Sequence, residues 1–305
     1  MIEVDQQPKV AITTPQVNEI KQRSWLQETL TRLFRYRLSS ISLAILVILT
    51  LAAIFAPLIA PYDRFEMDFS VRLRGPMLGH WLGTDESGRD LLSRIIWGGR
   101  ITLGVAILAV VIASGVGIPW GMIAAQKGGV IDDVLMRICD VLMAFPSLVL
   151  ALLIVTAMGP GFWNIVLTIG ILQAPHYARV ARGAALGENG REYVLASTAL
   201  GGNSTWIITR HIIPNCIPAL AVQTSLAAAS VILTEAALSF LGLGIQPPEA
   251  SWATMLRQGY SYLNFNAWYA IFPGMVIFFT VWALNALGDG LRDALDPRMR
   301  GSQMK

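Results

Sequence analysis

Residues 191–215 read REYVLASTALGGNSTWIITRHIIPN, and they separate two long apolar runs. Residues 191–200 hold no Gly or Pro and predict a short helix. Gly201 is its natural stop, because glycine takes the left-handed conformation at little steric cost. Ser204 suits the N-cap of a second helix, which Pro214 is expected to limit. The small residues Ala196, Ser197, Thr198 and Ala199 let another surface come close. A short helix seated in a partner's groove is one reading of this pair. A helix pair resting at the lipid headgroups fits the same residues equally well.

The flanks decide the class. The 305 residues are 54% hydrophobic and only 14% charged, with a mean hydropathy of +0.55. A soluble domain carries about 25% charged residues, so the deficit points to a bilayer. Stretches long enough to cross one occur at 38–60, 101–125, 138–158, 162–178, 217–241 and 267–288. An all-α membrane protein with six transmembrane helices is therefore expected. Lysine and arginine orient it. The first 37 residues hold Lys9, Lys21, Arg23, Arg32, Arg35 and Arg37, and the end holds Arg292, Arg298, Arg300 and Lys305. Both termini are expected in the cytoplasm of a prokaryotic plasma (inner) membrane. The 191–215 stretch then falls inside as well. Residues 61–100, placed outside, resist this pattern with six arginines against six acids.

The organisation expected is a cytoplasmic tail (1–37), a first span (38–60) and an external segment (61–100). A core of five spans (101–288) follows, with an internal loop at 179–215, and then a second tail (289–305). The first span is too long, and starts too late, for a cleaved signal. Residues 1–24 lack a period and are expected to be disordered.

Small residues before Gly201, with Ile213-Pro214 thirteen positions on, resemble the cytoplasmic EAA loop of ABC importer permeases. LGTDESGRDLLSRIIWGGR (82–100), EAALSFLGLGIQPPEASWATML (235–256) and FPGMVIFFTVWALNALGDGLRDALDPRMR (272–300) resemble the dipeptide/oligopeptide/nickel permease family in its own order. The short external segment resembles the C-type subunit of the permease pair. Leu195-Ala196-Ser197 stands where the general motif has Glu-Ala-Ala, His211 replaces an isoleucine, and Glu192 comes three positions early. The resemblance implies the type I ABC importer permease fold. It also implies a B-type partner permease in a heterodimer, two ATPase subunits and an extracytoplasmic solute-binding protein. In that picture Glu192, Tyr193, Ala196, Ser197, Gly201, His211 and Pro214 belong to the coupling region. Dipeptides, longer peptides, glutathione, nickel complexes and some sugars are all substrates the resemblance allows.

No lysine follows Gly and precedes Ser or Thr, so the chain has no Walker A sequence. No cofactor is expected in it; ATP is bound by partner subunits. Glu235 is an acid inside an apolar run, and such charges default to functional hypotheses. With Ser239 it is a candidate for the pathway, where a carboxylate would meet a peptide's amino terminus. The alternative puts it near a helix end, touching water or capping backbone. Gly242, Gly244 and Pro247 mark a non-helical stretch, read as an outer gate, a docking loop or a plain turn. Asp85, Glu86, Arg89, Asp90 and Arg94 crowd what reads as one short helix. There Arg89 and Asp90 brace the outer end, meet the binding protein, or simply form internal ion pairs. Asp289, Arg292, Asp293, Asp296 and Arg298 read as a solvated helix or an ATPase contact. His80, His176 and His211 are too far apart for a metal site, and Cys139 and Cys216 act as small apolar residues. No nucleophile stands with its base, so an enzyme is not expected. An ion-driven secondary transporter using Glu235 or Asp140 is the competing class. Nucleic acid is not an expected partner.

Overall fold

The computed structural model describes residues 37–295. The expectations for 1–36, and for Asp296, Arg298, Arg300 and Lys305, lie outside them. Among the described residues there is no strand, only two isolated bridges, Met77 with His80 and Thr84 with Asp90. The helices are α1 (Arg37–Ile54), α2 (Leu91–Lys127), α3 (Gly129–Ala144), α4 (Ser147–Met158) and α5 (Phe162–Asn189). Then come α6 (Glu192–Ala199), α7 (Ser204–Phe240), α8 (Trp252–Ser261) and α9 (Trp268–Leu295).

Among the described residues four helices, α1, α2, α7 and α9, are long and apolar enough to cross a membrane. The expected third span, 138–158, is not one rod: α3 and α4 meet at 87°. Pro146 has no N–H to donate and forces Phe145 into extended backbone (ψ 140°), so the helix cannot run through. Counting that bent pair as one span gives five. The expected fourth span, 162–178, is the front of α5, a 28-residue helix that carries Gln173, His176, Arg179 and Arg182. Those polar groups keep it from qualifying on composition alone.

Close backbone approach holds the bundle. A Cβ at Gly117 would lie 2.4 Å from the Ala174 carbonyl oxygen, and one at Gly121 2.2 Å from that of Ala178. These two glycines let α2 and α5 touch along their length, as small residues do where lipid removes the hydrophobic drive between helices. Around this contact Val105, Ala109, Ile165, Ile169, Val231, Ile232 and Leu238 form the main apolar core. A second cluster sits where the 191–215 stretch joins the bundle. It contains Met122, Ala181, Ala185, Val194, Ile207, Ile212 and Cys216. Both free cysteines, Cys139 and Cys216, are buried within helices.

Candidate functional site

The 191–215 stretch folds as a helix, a tight turn and the start of a longer helix. Asn189 closes the end of α5 onto α2, donating to the Ala125 carbonyl at 3.2 Å and accepting from Gln126 at 2.9 Å. Three residues later α6 begins. Gly201 has φ +84°, and the Gly202 N–H reaches the Ser197 carbonyl while the Gly201 N–H reaches that of Thr198, both at 3.0 Å. That is a Schellman ending, with glycine where the left-handed residue belongs. The second N-cap is Asn203, one residue before the expected Ser204; its side chain accepts from the Trp206 N–H at 2.8 Å.

Pro214 does not end the second helix. A π-helical turn over Ile208–Ile212 widens the coil just ahead of it, with the Ile213 N–H bonded back to Ile208. The wider turn moves the carbonyls that a proline ring would meet, so α7 continues through Pro214 and Pro218.

Val194, Ile207 and Ile212 anchor this unit, each sunk into the second cluster. Most of the rest faces outward. Leu200 is 90% exposed, and Leu195 and Trp206 are about half exposed. Tyr193, Ser197 and His211 come together. The His211 ring lies 6.0 Å from that of Tyr193 and 4.8 Å edge-on from Trp206, and its Nε2 is 3.4 Å from Ser197 Oγ. The Tyr193 hydroxyl donates to Glu188. Partial burial first, and then that bond, push the phenol up to about 12. Glu192 and Pro214 line a cavity of about 980 Å³ with Arg191, Tyr193 and Leu295. Ala196 is exposed and outside that cluster. Sequence reading passed over Leu200, Asn203 and Trp206, which line a smaller hollow of about 460 Å³ with Gly201. A tryptophan inside a polar loop was the available signal.

At the opposite end of α7 the other candidates are packed away. Glu235 is fully buried; its Oε1 accepts from Ser239 Oγ at 2.9 Å and from Ser251 Oγ at 2.7 Å, while Oε2 has no partner. It neither touches water nor caps backbone; it ties α7 to the N-cap of α8. Ser239 is equally enclosed. Gly242 has φ +89°, and a Cβ at Gly244 would overlap Ser239 Oγ at 1.9 Å. The glycines thus fold the chain tightly back over the helix end, leaving Pro247 at the surface.

Asp85, Arg89 and Asp90 do not form a short helix. They lie in turns ahead of α2, and Asp90 is its N-cap, accepting from Ser93 N–H and Oγ at 2.8 Å. Asp85 is fully buried and accepts from Arg89 Nε at 2.6 Å and from Arg94. Glu86 takes the other side of Arg89 at 3.0 Å and the Tyr269 hydroxyl at 2.6 Å. Two of the arginines that resisted the charge pattern, Arg89 and Arg94, are therefore neutralised internally. Asp289, Arg292 and Asp293 continue the last turns of α9. Among the described residues no His, Cys, Asp or Glu side chains group as metal ligands.

The described residues thus form a long apolar helical bundle with a short helix between α5 and α7. The fold matches an inward-facing MetNI methionine ABC transporter with a TM-score of 0.56 at 18% identity. That match covers 68% of this chain and 97% of the other. Residues 117–301 match the model for the binding-protein-dependent transport system inner membrane component. Residues 24–76 match the N-terminal transmembrane domain of oligopeptide transport permease C. The D,D-dipeptide transport system permease protein DdpC of Escherichia coli (a probable assignment) is 40% identical over 86% of this chain and 88% of its own. The di/tripeptide permease DppC of Pseudomonas aeruginosa is 41% identical over 85% and 88%. The oligopeptide permease OppC of Bacillus subtilis is 37% identical over 92% of each chain. The chain belongs to the binding-protein-dependent inner-membrane permeases, in the C-type branch of peptide ABC transporters.

Proposed function

We propose that this permease forms half of an import pathway for peptide-class solutes and is driven through residues 191–215 by an ATPase subunit. The observation that carries this reading is the exposure of Leu195 and Leu200 on the short helix α6 and its end, and of Trp206 in the adjoining first turn of α7. Apolar side chains displayed on a rigid support suit a protein groove. In this reading the bundle crosses the membrane six times, with α3–α4 and α5 supplying two of the spans, and both termini are cytoplasmic. A B-type permease completes the pathway, two ATPase subunits hydrolyse ATP, and an extracytoplasmic protein delivers solute. ATPase closure displaces α6, and α5 and α7 move with it as packed rods. The relatives named for dipeptides, oligopeptides and, in GsiD of Pectobacterium atrosepticum, glutathione favour a solute with peptide bonds.

The secondary-transporter reading loses its acids: Glu235 is enclosed and Asp140 is paired with Arg179. Proteoliposomes separate the two readings. Uptake should require ATP and all partner subunits; uptake by this chain alone on a proton gradient would select the other class. Gly201→Asp sharpens the coupling assignment. A Cβ there meets nothing within 4 Å, so the cost is backbone strain of about 1 kcal/mol, which leaves folding intact. Solute-stimulated ATP hydrolysis should nonetheless vanish. Transport surviving at equal permease abundance contradicts the assignment.

A further inference from the structure

The polar residues that set α5 apart are not scattered. Gln173, His176 and Arg179 follow at three-residue intervals along one side of the helix, with His176 and Arg179 exposed and Gln173 half-buried. Gln173 Nε2 donates to Ser230 Oγ on α7 at 2.8 Å. One turn on, the half-buried Thr234 donates to the Ser230 carbonyl at 2.8 Å. At the other end of the row Arg179 pairs with Asp140 on α3, both about half exposed. The His176 ring makes no hydrogen bond among the described residues. Polar groups at such depth are costly in lipid and are placed toward protein or water.

The exposed face of α7 divides in the same sense. Taking 100° per residue, Leu226, Leu233 and Phe240 lie about 40–80° to one side of Ser230, and Gln223 and Thr234 about 20–40° to the other. The leucines and the phenylalanine are exposed. One edge of α7 therefore suits hydrocarbon, and the edge joined to Gln173 suits water.

We propose that the α5–α7 seam, centred on Gln173, His176 and Ser230, is this chain's water-facing lining of the translocation pathway and hydrogen-bonds the main-chain amides of a passing peptide. This rests on the peptide-import reading above. An amide unit carries one donor and one acceptor, and the Gln173 carboxamide and Ser230 hydroxyl offer both kinds of partner. Glu235, by contrast, is committed to two serines and shut off from solute.

The test uses the assembled transporter with Cys139→Ala and Cys216→Ala as background, carrying Ser230→Cys, Gln173→Cys or Leu233→Cys. A charged, water-soluble methanethiosulfonate should label the cysteines at 230 and 173 at least about tenfold faster than that at 233. Label at 230 should block dipeptide uptake while solute affinity of the binding protein is unchanged. Gln173→Leu should lower uptake about tenfold at saturating binding protein, the loss expected for one hydrogen bond to a dehydrated solute. Equal labelling of all three sites, or inert sites 230 and 173 because the seam is sealed against the second permease, would overturn the proposal. Labelling is read independently of uptake. A fully assembled wild-type complex that takes up no dipeptide would sink the peptide reading instead, and the labelling rates would still decide whether the seam meets water.

Discussion

The two ends of α7 carry polar groups in opposite ways. Around residues 61–90 and α8, acids and arginines are buried and paired within the chain: Asp85 holds Arg89 and Arg94, Glu86 holds Arg89 and Tyr269, and Glu235 holds Ser239 and Ser251 through Oε1. Arg64 adds an outer brace, pairing with Glu249 at 3.1 Å and lying 4.5 Å over the Trp97 ring. At 191–215 most polar groups are exposed, the anchors are three apolar residues, Val194, Ile207 and Ile212, and leucine and tryptophan point outward. One end is finished within this chain. The other presents an exposed surface, where the proposed reading seats an ATPase subunit.

That contrast is broken most readily at Asp85. Asp85→Ala leaves the buried Arg94 guanidinium unpaired and Arg89 with Glu86 alone, and should cost about 3–5 kcal/mol in thermal unfolding of the detergent-solubilised permease. Leu200→Ala should stay within about 0.5 kcal/mol in the same assay. Comparable losses at the two sites would erase the distinction. Next, Gly121→Leu drives a side chain against the α5 backbone and should cost at least about 1–3 kcal/mol.

Glu235 gives a smaller, more diagnostic effect. Glu235→Ala strips two buried hydroxyls of their acceptor, for about 1–3 kcal/mol. Glu235→Gln keeps an acceptor in place, and should leave uptake rate and substrate range unchanged; a changed substrate range would return the residue to the pathway. Tyr193→Phe should cost less than Glu235→Ala, below about 1 kcal/mol for one partly exposed hydrogen bond. Because the folded phenol is raised, its contribution is complete below its ordinary value near 10 and disappears as pH rises through about 12. A pH titration of Tyr193 absorbance against the phenylalanine variant reads that window.

Most of the architecture was legible in the apolar runs, and the α6 ending in Gly201, because each depends on local chemistry. What was missed depends on contacts far apart in sequence. The extension of α7 through Pro214 needs the π turn before it, and no residue type announces such a turn. Internal ion pairs around Asp85 and Arg89 were legible in the crowding of charges, but Glu235 read as a pathway charge or a helix-end group because its partner Ser251 lies 16 residues away. The bend at Phe145-Pro146 was visible in the proline, but an unbroken apolar stretch outweighed it. The polar row on α5 was equally visible, and only its bond to Ser230, 57 residues on, gives it a face.

The most direct measurement is a cross-link from residue 200. With Leu200→Cys on the Cys139→Ala, Cys216→Ala background, a short bifunctional thiol reagent should join this chain to an ATPase subunit in the assembled complex, and the yield should change when ATP is bound. A residue 200 that reacts only with reagents on the extracytoplasmic side, or joins the solute-binding protein instead, would contradict a nucleotide-driven lever at this loop.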